Sequence, residues 1–94
     1  MKNNEENTLA IDFGLKNIGL AISQGLLAQP FGTIKIRDYP STIGKLQKII
    51  DQGKITKIVI GISERQMARM TREFAKRLAQ KVKIPIIFWD EALT

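Results

Sequence analysis

The sequence predicts one α/β domain built on a mixed five-stranded sheet with flanking helices, and three observations lead to this prediction. Three apolar segments separated by short turns come first, which is the pattern of consecutive antiparallel strands. Two segments with helical periodicity follow, and each leads into a further apolar strand. The 94 residues suit a single core, so we expect residues 1–94 to form one domain with a polar leader at residues 1–7.

The first three strands are predicted at Thr8–Phe13, Ile18–Ser23 and Leu26–Arg37. Gly14–Asn17 supplies turn-forming residues, so the first two strands should form an antiparallel hairpin. Pro30 has no backbone N–H to donate to a sheet ladder, which favours an edge position for the third strand. The third strand is therefore expected at the outer edge of the sheet.

The second half of the chain alternates helices with strands. Ser41 is the predicted N-cap of a helix that ends at Gly53. Thr56–Ile62 is rich in β-branched residues, which predicts a central parallel strand covered on both faces. Glu64–Val82 is predicted as the longest helix and Pro85–Trp89 as the last strand. Helical connections favour parallel pairing, and we place the strands in the order 3-2-1-4-5, antiparallel among the first three.

The residue types that the chain lacks exclude several classes of enzyme. Without histidine or cysteine there is no Ser-His-Asp or Cys-His catalytic group and no thiolate zinc site. Catalysis would depend on carboxylates, on lysine or arginine, on Tyr39, or on a hard cation held by oxygen ligands. A net charge of +6 and a pI of about 9.9 favour polyanionic partners. No apolar run approaches the roughly 18 residues of a membrane span, so we expect a cytoplasmic protein that does not enter a membrane.

Two acidic positions are candidates for a metal site. Asp12 lies within the first strand, where a carboxylate needs a cation, a route to solvent or a hydrogen-bond partner such as the Gly14–Asn17 turn. Asp90 and Glu91 follow the last strand, at the edge where open α/β sheets bind ligands, although Asp90 could instead cap a helix. In the predicted strand order, Asp12 and Glu91 stand roughly 10 Å apart across the strand that contains Gly61.

A gap lined by carboxylates beside a glycine suits hydrated Mg²⁺, with Mn²⁺ as the alternative ion. Mg²⁺ accepts one or two carboxylates and keeps several of its waters. Such an ion can generate a hydroxide nucleophile for phosphodiester hydrolysis, a chemistry that needs neither histidine nor cysteine. We therefore predict Asp12 and Glu91 as catalytic and metal-binding residues, with Asp90 as a further candidate ligand.

The longest predicted helix carries basic residues on the side opposite its apolar face. At about 100° per residue these positions fall within one narrow sector, which we call the basic stripe. The basic stripe comprises Arg65, Arg69, Arg72, Lys76 and Lys83. It is predicted to contact the phosphates of a nucleic acid, and an ordinary solvated helix face is the alternative. Lys16 and Lys35 are further candidates for phosphate contact, whereas Met67 and Met70 are expected to fill the core.

Five segments of the sequence resemble the YqgF/RuvX family of Holliday-junction-resolvase-like nucleases, in the same order and spacing across nearly the whole chain. The segments are Leu9–Ala21, Ala28–Ile34, Ile58–Gly61, Phe74–Leu78 and Asp90–Thr94. The resemblance implies an RNase H-like fold and Mg²⁺-dependent endonuclease activity on structured RNA or branched DNA, including 5′-end processing of pre-16S rRNA. It also implies that Asp12 is the first-strand metal ligand and Glu91 the second acid.

Departures from the family pattern leave other functions open. The family has a longer loop after the fourth strand, an arginine where this chain has Ala92, and a third carboxylate on a further helical segment that does not occur before Thr94. Three expectations follow: a fragment whose C-terminal segment is missing, a chain that needs a partner such as a second copy in a homodimer, or a non-catalytic nucleic-acid-binding module. An actin-like nucleotide-binding domain would require a second lobe, for which the chain has no room.

Overall fold

The computed structural model describes residues 6–25, 27–62 and 65–90, which form strands and helices in the predicted order. In chain order, the elements are β1 (Asn7–Phe13), β2 (Asn17–Gln24), β3 (Leu27–Lys35), α1 (Tyr39–Gln52), β4 (Lys57–Ile62), α2 (Arg65–Ala79) and β5 (Ile86–Asp90). None of the helices in these ranges is long and apolar enough to cross a membrane.

The five strands form one sheet in the order β3-β2-β1-β4-β5, which confirms the predicted arrangement. The pairs β1–β2 and β2–β3 are antiparallel, because short turns reverse the chain between them. The pairs β1–β4 and β4–β5 are parallel, because a helix carries the chain back before each new strand. The turn after β1 is closed by the Gly14 N–H, which donates to the Asn17 carbonyl at 3.0 Å.

β3 lies at the outer edge, as Pro30 predicts. Ala21 pairs with Pro30 whereas Leu20 pairs with Gly32, so Phe31 is an extra residue that forms a bulge. Gly32 takes a φ of +136°, a backbone conformation that residues with side chains rarely adopt. The strand is therefore shorter than the predicted Leu26–Arg37 and is bent at its middle.

The core lies on one face of the sheet, which we call the covered face. Alternate residues along β1 and β4 point into it and are fully buried or nearly so, as expected for a half-buried pleated sheet. Both helices contribute their apolar residues to the same cluster. The cluster includes Leu9, Ile11, Ile18, Ile58, Ile60, Ile43, Leu46, Phe74 and Leu78.

The opposite face of the sheet, the open face, is not covered by any element in the described ranges. Val59 and Gly61 of β4 are half-buried there and alternate with the buried Ile58, Ile60 and Ile62 of the covered face. The prediction that this strand is covered on both faces was therefore wrong for the part of the chain that the structure describes. β-Branched residues favour a strand wherever the pleated surface is partly buried. The β-branched segment Thr56–Ile62 therefore predicted the strand correctly but gave no information on whether its second face is covered.

Three aromatic side chains join the two helices to the sheet. Phe13 of β1 packs against Phe74 of α2 with ring centroids 4.9 Å apart. Tyr39 of α1 meets Phe74 edge-on at 5.2 Å and Phe13 at 6.2 Å. The Arg77 guanidinium lies 5.4 Å from the Tyr39 ring centroid. Such aromatic pairs add to the apolar area that they bury, so this cluster fixes both helices on the covered face.

The N-cap of α1 is Asp38 and not Ser41, which corrects the prediction. The Asp38 carboxylate accepts a hydrogen bond from the Ser41 backbone N–H at 2.7 Å, and its backbone is extended as an N-cap requires. Pro40 then occupies the first turn, where a missing N–H costs nothing. Both residues have good capping side chains, and the position of the proline decides between them.

α2 also differs from its prediction in two respects. It ends at Ala79, although Val82 still packs against the core from the turn that follows. Met67 is buried as predicted, but Met70 is 38 % exposed. The buried arc of the helix is centred near Thr71, whose hydroxyl donates to the Met67 carbonyl at 2.7 Å. Met70 therefore lies at the margin of that arc.

We expect Phe74→Ala to lower the free energy of unfolding by about 3–5 kcal/mol, because it leaves a cavity among fully buried rings. Phe31→Ala is the matched control: Phe31 is 53 % exposed on the β3 bulge, and its truncation should cost less than about 0.5 kcal/mol. Urea denaturation followed by circular dichroism measures both. Equal losses in the two variants would contradict the assigned core.

The cap of α1 should make stability depend on pH. The hydrogen bonds from Ser41 lower the pKa of Asp38 from its usual 3.8. Ionised Asp38 therefore contributes stability above that value, and the contribution is lost as the pH falls through the lower pKa of the folded state. Asp38→Asn keeps a capping side chain but removes this titration. The difference in Tm between wild type and Asp38→Asn should shrink on acidification below pH 3.8; a constant difference would contradict the assignment.

Candidate functional site

Asp12 projects from β1 onto the open face, where its side chain is exposed to solvent. It is paired with Gly19 of β2 on one side and with Gly61 of β4 on the other. Gly61 is paired in turn with Trp89 of β5. Because directly paired residues project from the same face of a sheet, Asp12 stands between two positions without side chains and faces the tryptophan across one of them.

The glycines leave a shallow trough across the open face, with a volume of about 560 Å³. Its floor consists largely of small apolar residues, and among the described residues that line it Asp12 is the only ionisable one. Residues that line the trough include Ala10, Asp12, Ala21, Val59, Gly61 and Trp89. The site is thus a carboxylate on an open, mainly apolar surface.

The Asp12 carboxylate accepts no hydrogen bond from any residue within the described ranges. The turn that follows is closed by its own backbone, through Gly14 and Asn17, and does not use the carboxylate. The alternative in which Asp12 stabilises this turn is therefore not what the structure shows. The acid is accessible, and its oxygens are available to solvent or to a ligand.

One carboxylate in this setting fits part of a Mg²⁺ site. Mg²⁺ is commonly held by one or two carboxylates together with several waters, and an exposed acid beside glycines leaves space for such waters. Within residues 6–25, 27–62 and 65–90, no cluster of three or more acidic side chains could hold a metal ion. Asp12 is accordingly the one predicted ligand whose side chain can be placed.

The other two predicted acids, Asp90 and Glu91, lie at the carboxyl end of β5 and directly after it in the sequence. Asp90 is the last residue of β5, where its backbone pairs with Ile62, and only its backbone position is described. Glu91 lies outside the described residues. The predicted approach of Glu91 to Asp12 therefore stays a prediction.

The basic stripe lies on the side of the molecule opposite Asp12. Met67, Phe74 and Leu78 of α2 are buried against the covered face, so the stripe points away from the sheet. Arg69, Arg72 and Lys76 are exposed there. Arg65 begins α2 but its side chain is not described, and Lys83 follows the helix and is exposed. The structure does not bring the basic stripe and Asp12 to one surface.

Lysines near the β1–β2 turn lie closer to the open face. Lys16 is exposed within the turn, and its carbonyl accepts from the Ile36 N–H at 2.7 Å. Lys35 of β3 is paired with Asn17, two residues before Gly19 on β2, so it projects from the same face as Asp12. Its side chain is exposed.

Trp89 is the residue of the site that sequence reasoning did not identify. It is 54 % exposed, although it belongs to an apolar strand. Matching the ends of the predicted strands would pair Trp89 with Ile62 on the covered face, whereas the observed register pairs it with Gly61 on the open face. Its position beside an acid gives the open face an aromatic surface as well as a charge.

Comparison with known families identifies one match over nearly the whole chain. A family described as RuvX, Holliday junction resolvase, matches residues 6–94. A protein of Cereibacter sphaeroides named "Putative pre-16S rRNA nuclease" is 36% identical over 92 residues, which cover 89% of this chain and 58% of that protein. A protein of the same name from Buchnera aphidicola is 35% identical over 94 residues, covering 92% and 69%. The chain spans about 58% of the length of the first of these relatives.

Solved structures with low sequence identity share the fold. Thermus thermophilus RuvC has a TM-score of 0.60 at 11% identity, with 89% of this chain and 63% of that chain covered. The complex of T. thermophilus RuvC with a Holliday junction substrate has a TM-score of 0.55 at 10% identity, with 93% of this chain and 66% of that chain covered. A Bacteroides thetaiotaomicron protein with an actin-like ATPase fold has a TM-score of 0.57 at 10% identity, with 87% of this chain and 32% of that chain covered. These likenesses show an RNase H-like fold.

Proposed function

Because this chain belongs to the RuvX family, we propose that it acts as a metal-dependent endonuclease on phosphodiester bonds of structured nucleic acid. The substrate would be pre-16S rRNA, processed at its 5′ end, or branched DNA. The names of the relatives support the first, and the family description together with the RuvC–Holliday junction complex supports the second. The net charge of +6 favours either polyanion.

The observation that carries the proposal is the exposed Asp12 carboxylate on the open face. A nuclease whose metal ion is held by carboxylates must bring them close to a backbone phosphate, and Gly19 and Gly61 leave no side chain between Asp12 and an approaching strand. Two anions do not approach each other without a cation, so the acid and the phosphate would need one between them.

Mg²⁺ is the cation that we propose, with Mn²⁺ as the alternative. When bound, it would supply an activated water and stabilise the negative charge that develops on the phosphate and on the leaving oxygen. Asp12 would hold it, and Glu91 and Asp90 stay the predicted further ligands. The absence of histidine and cysteine from the chain leaves carboxylates as the natural ligands for a hard cation.

The protein's own groups would position the substrate. Lys35 projects from the face that carries Asp12, and Lys16 lies in the adjacent turn, so both are suited to contact phosphates on one side of the scissile bond. The basic stripe is suited to a separate stretch of a larger nucleic acid that passes around α2. Sequence-independent contacts of this kind fix the register of a substrate without reading its bases.

A non-catalytic nucleic-acid-binding module is the second candidate. It is favoured by the finding that the described ranges contain no cluster of three acids. Such a module would keep the RNase H-like fold and the lysines of the open face. Homodimer formation and a cytoplasmic location, both expected from the sequence, stay predictions.

Asp12→Asn should separate the two candidates. We expect it to reduce Mg²⁺-dependent cleavage of a branched DNA or a structured pre-rRNA fragment by more than about 100-fold, since loss of even an outer-shell partner of a metal costs 10–100-fold. Binding of the same substrate, measured by fluorescence anisotropy in EDTA, should be retained.

Asp51→Asn is the matched control, because it removes the same charge from the exposed end of α1. It should leave cleavage unchanged. Cleavage by the Asp12→Asn variant at the wild-type rate would reject the assigned site. If the wild type bound the substrate but did not cleave it in Mg²⁺ or Mn²⁺, the non-catalytic module would be favoured.

The two cationic surfaces should differ in the length of nucleic acid that they require. α2 is about 10 Å across, and charges beyond a Debye length of about 8 Å are largely screened. On a short RNA hairpin bound at the open face, Lys35→Gln should lower the slope of log K against log salt by about one, whereas Arg72→Gln should leave it unchanged. On a long branched substrate both variants should lower it. If Arg72→Gln lowered the salt slope on the short hairpin and Lys35→Gln did not, the hairpin would be bound by the basic stripe and not by the open face.

A further inference from the structure

We propose that Trp89 is a stacking platform for an unpaired base next to the scissile phosphate, so that the preferred substrate presents a single-stranded nucleotide at the site. This inference rests on the proposed function and makes it more specific. It assigns to the open face a defined occupant, a nucleic acid strand whose bases are unpaired.

The position of Trp89 is the first argument. It is paired with Gly61, which is paired with Asp12, so the indole and the carboxylate project from the same face on either side of a residue that has no side chain. Adjacent strands lie about 4.8 Å apart, which puts the two positions roughly 10 Å from each other. Successive nucleotides of an extended strand bridge a distance of this order, so a base on Trp89 would place a neighbouring phosphate near Asp12.

The exposure of Trp89 is the second argument. The side chain is 54 % exposed, whereas the aromatic residues of the core, Phe13 and Phe74, are buried. Phe31 and Phe88 are also exposed, at 53 % and 42 %, so exposure alone does not single out Trp89. Trp89 differs from both because it lines the trough together with Asp12. Aromatic side chains are the common platform for unpaired bases in proteins that bind single strands, because every base has a π-face to stack.

The charges around the open face identify the occupant. Lys35 projects from the open face near the end of β3, and Lys57 projects from the same face at the start of β4, where it pairs with Glu6 at 3.4 Å. Lys16 is exposed in the β1–β2 turn beside Lys35. An apolar floor with an aromatic wall and a cationic rim complements a strand whose bases are apolar and whose backbone is anionic.

A base pair within a duplex cannot make the same contact. Its two π-faces are already occupied by neighbouring pairs, and exposing one costs unstacking energy. The trough is shallow, so a single base can lie flat against the indole while the phosphates stay in solvent on the side of the lysines. We therefore expect the protein to bind loops, bulges, branch points and single-stranded ends in preference to an uninterrupted nucleic acid duplex.

The intrinsic fluorescence of the full chain tests this directly, because Trp89 is its single tryptophan. The probe is an oligoadenylate RNA of about ten nucleotides, in EDTA so that no cleavage occurs, and stacking should quench the emission at saturation. An abasic strand of equal length and charge should bind through its phosphates without quenching. The corresponding duplex should bind with little quenching.

Variants give an independent measurement on a labelled oligoadenylate. Trp89→Ala should weaken binding by roughly 5- to 150-fold, the range expected for loss of one stacked base, and Trp89→Phe should restore most of it. Phe88→Ala is the matched control: Phe88 is 42 % exposed but is paired with Ile60 on the covered face, so its truncation should not change binding. Urea denaturation establishes that each variant is folded.

The outcomes distinguish this inference from the proposed function. Equal quenching by the abasic strand, or unchanged affinity in Trp89→Ala, would overturn the stacking role while leaving Asp12-dependent cleavage in place. A blue shift of Trp89 emission that grows with protein concentration in the absence of RNA would identify a second polypeptide copy as the occupant and would also overturn it. If RNA quenched Trp89 as expected but the wild type showed no Asp12-dependent cleavage, the stacking role would stand and Trp89 would be a base-binding residue of a non-catalytic module.

Discussion

The alternation of side chains along β1 is the constraint on which the rest of the structure depends. Leu9, Ile11 and Phe13 are buried on the covered face, so Asp12 must project from the other face. A shift of one residue in the pairing of β1 would bury the carboxylate and expose three apolar side chains. The same packing that stabilises the domain therefore keeps the acid accessible.

Both helices reinforce this division by packing on the covered face. The Phe13, Tyr39 and Phe74 rings hold α1 and α2 there, at distances of 4.9–6.2 Å between centroids. The central position of β1, between an antiparallel and a parallel neighbour, then provides Asp12 with a rigid setting on both sides. A site held by hydrogen-bonded strands keeps its geometry more accurately than one held by loops.

The order of the elements could be predicted because it follows from local signals. Short turns after the first two strands require antiparallel neighbours, and Pro30 requires an edge. Asp12 was identified for a related reason, since an acid within an apolar strand needs an explanation. The choice of Asp38 over Ser41 as the cap depended on Pro40, and two good capping residues so close together cannot be ranked by type alone.

The placement of the basic stripe could not be predicted, because the periodicity of α2 shows which of its faces is apolar and not which face of the sheet receives it. The same limit applies to the cover of β4, where Val59 and Gly61 look like core residues in sequence but lie on the open face. The face that Trp89 takes depends on the pairing register of β4 and β5, which the predicted strand bounds do not give correctly. The apolar neighbours Ile86–Phe88 made Trp89 resemble a core residue.

The two margins of the sheet are unequally protected against association with other chains. At one margin, Pro30 removes a donor and the bulge at Phe31 bends β3, so the backbone there is a poor template for an added strand. At the other margin, β5 presents a short apolar backbone edge that no other strand in the described ranges pairs with. Aggregation during synthesis or refolding would therefore begin at β5, and a proline or lysine introduced there would act as a gatekeeper.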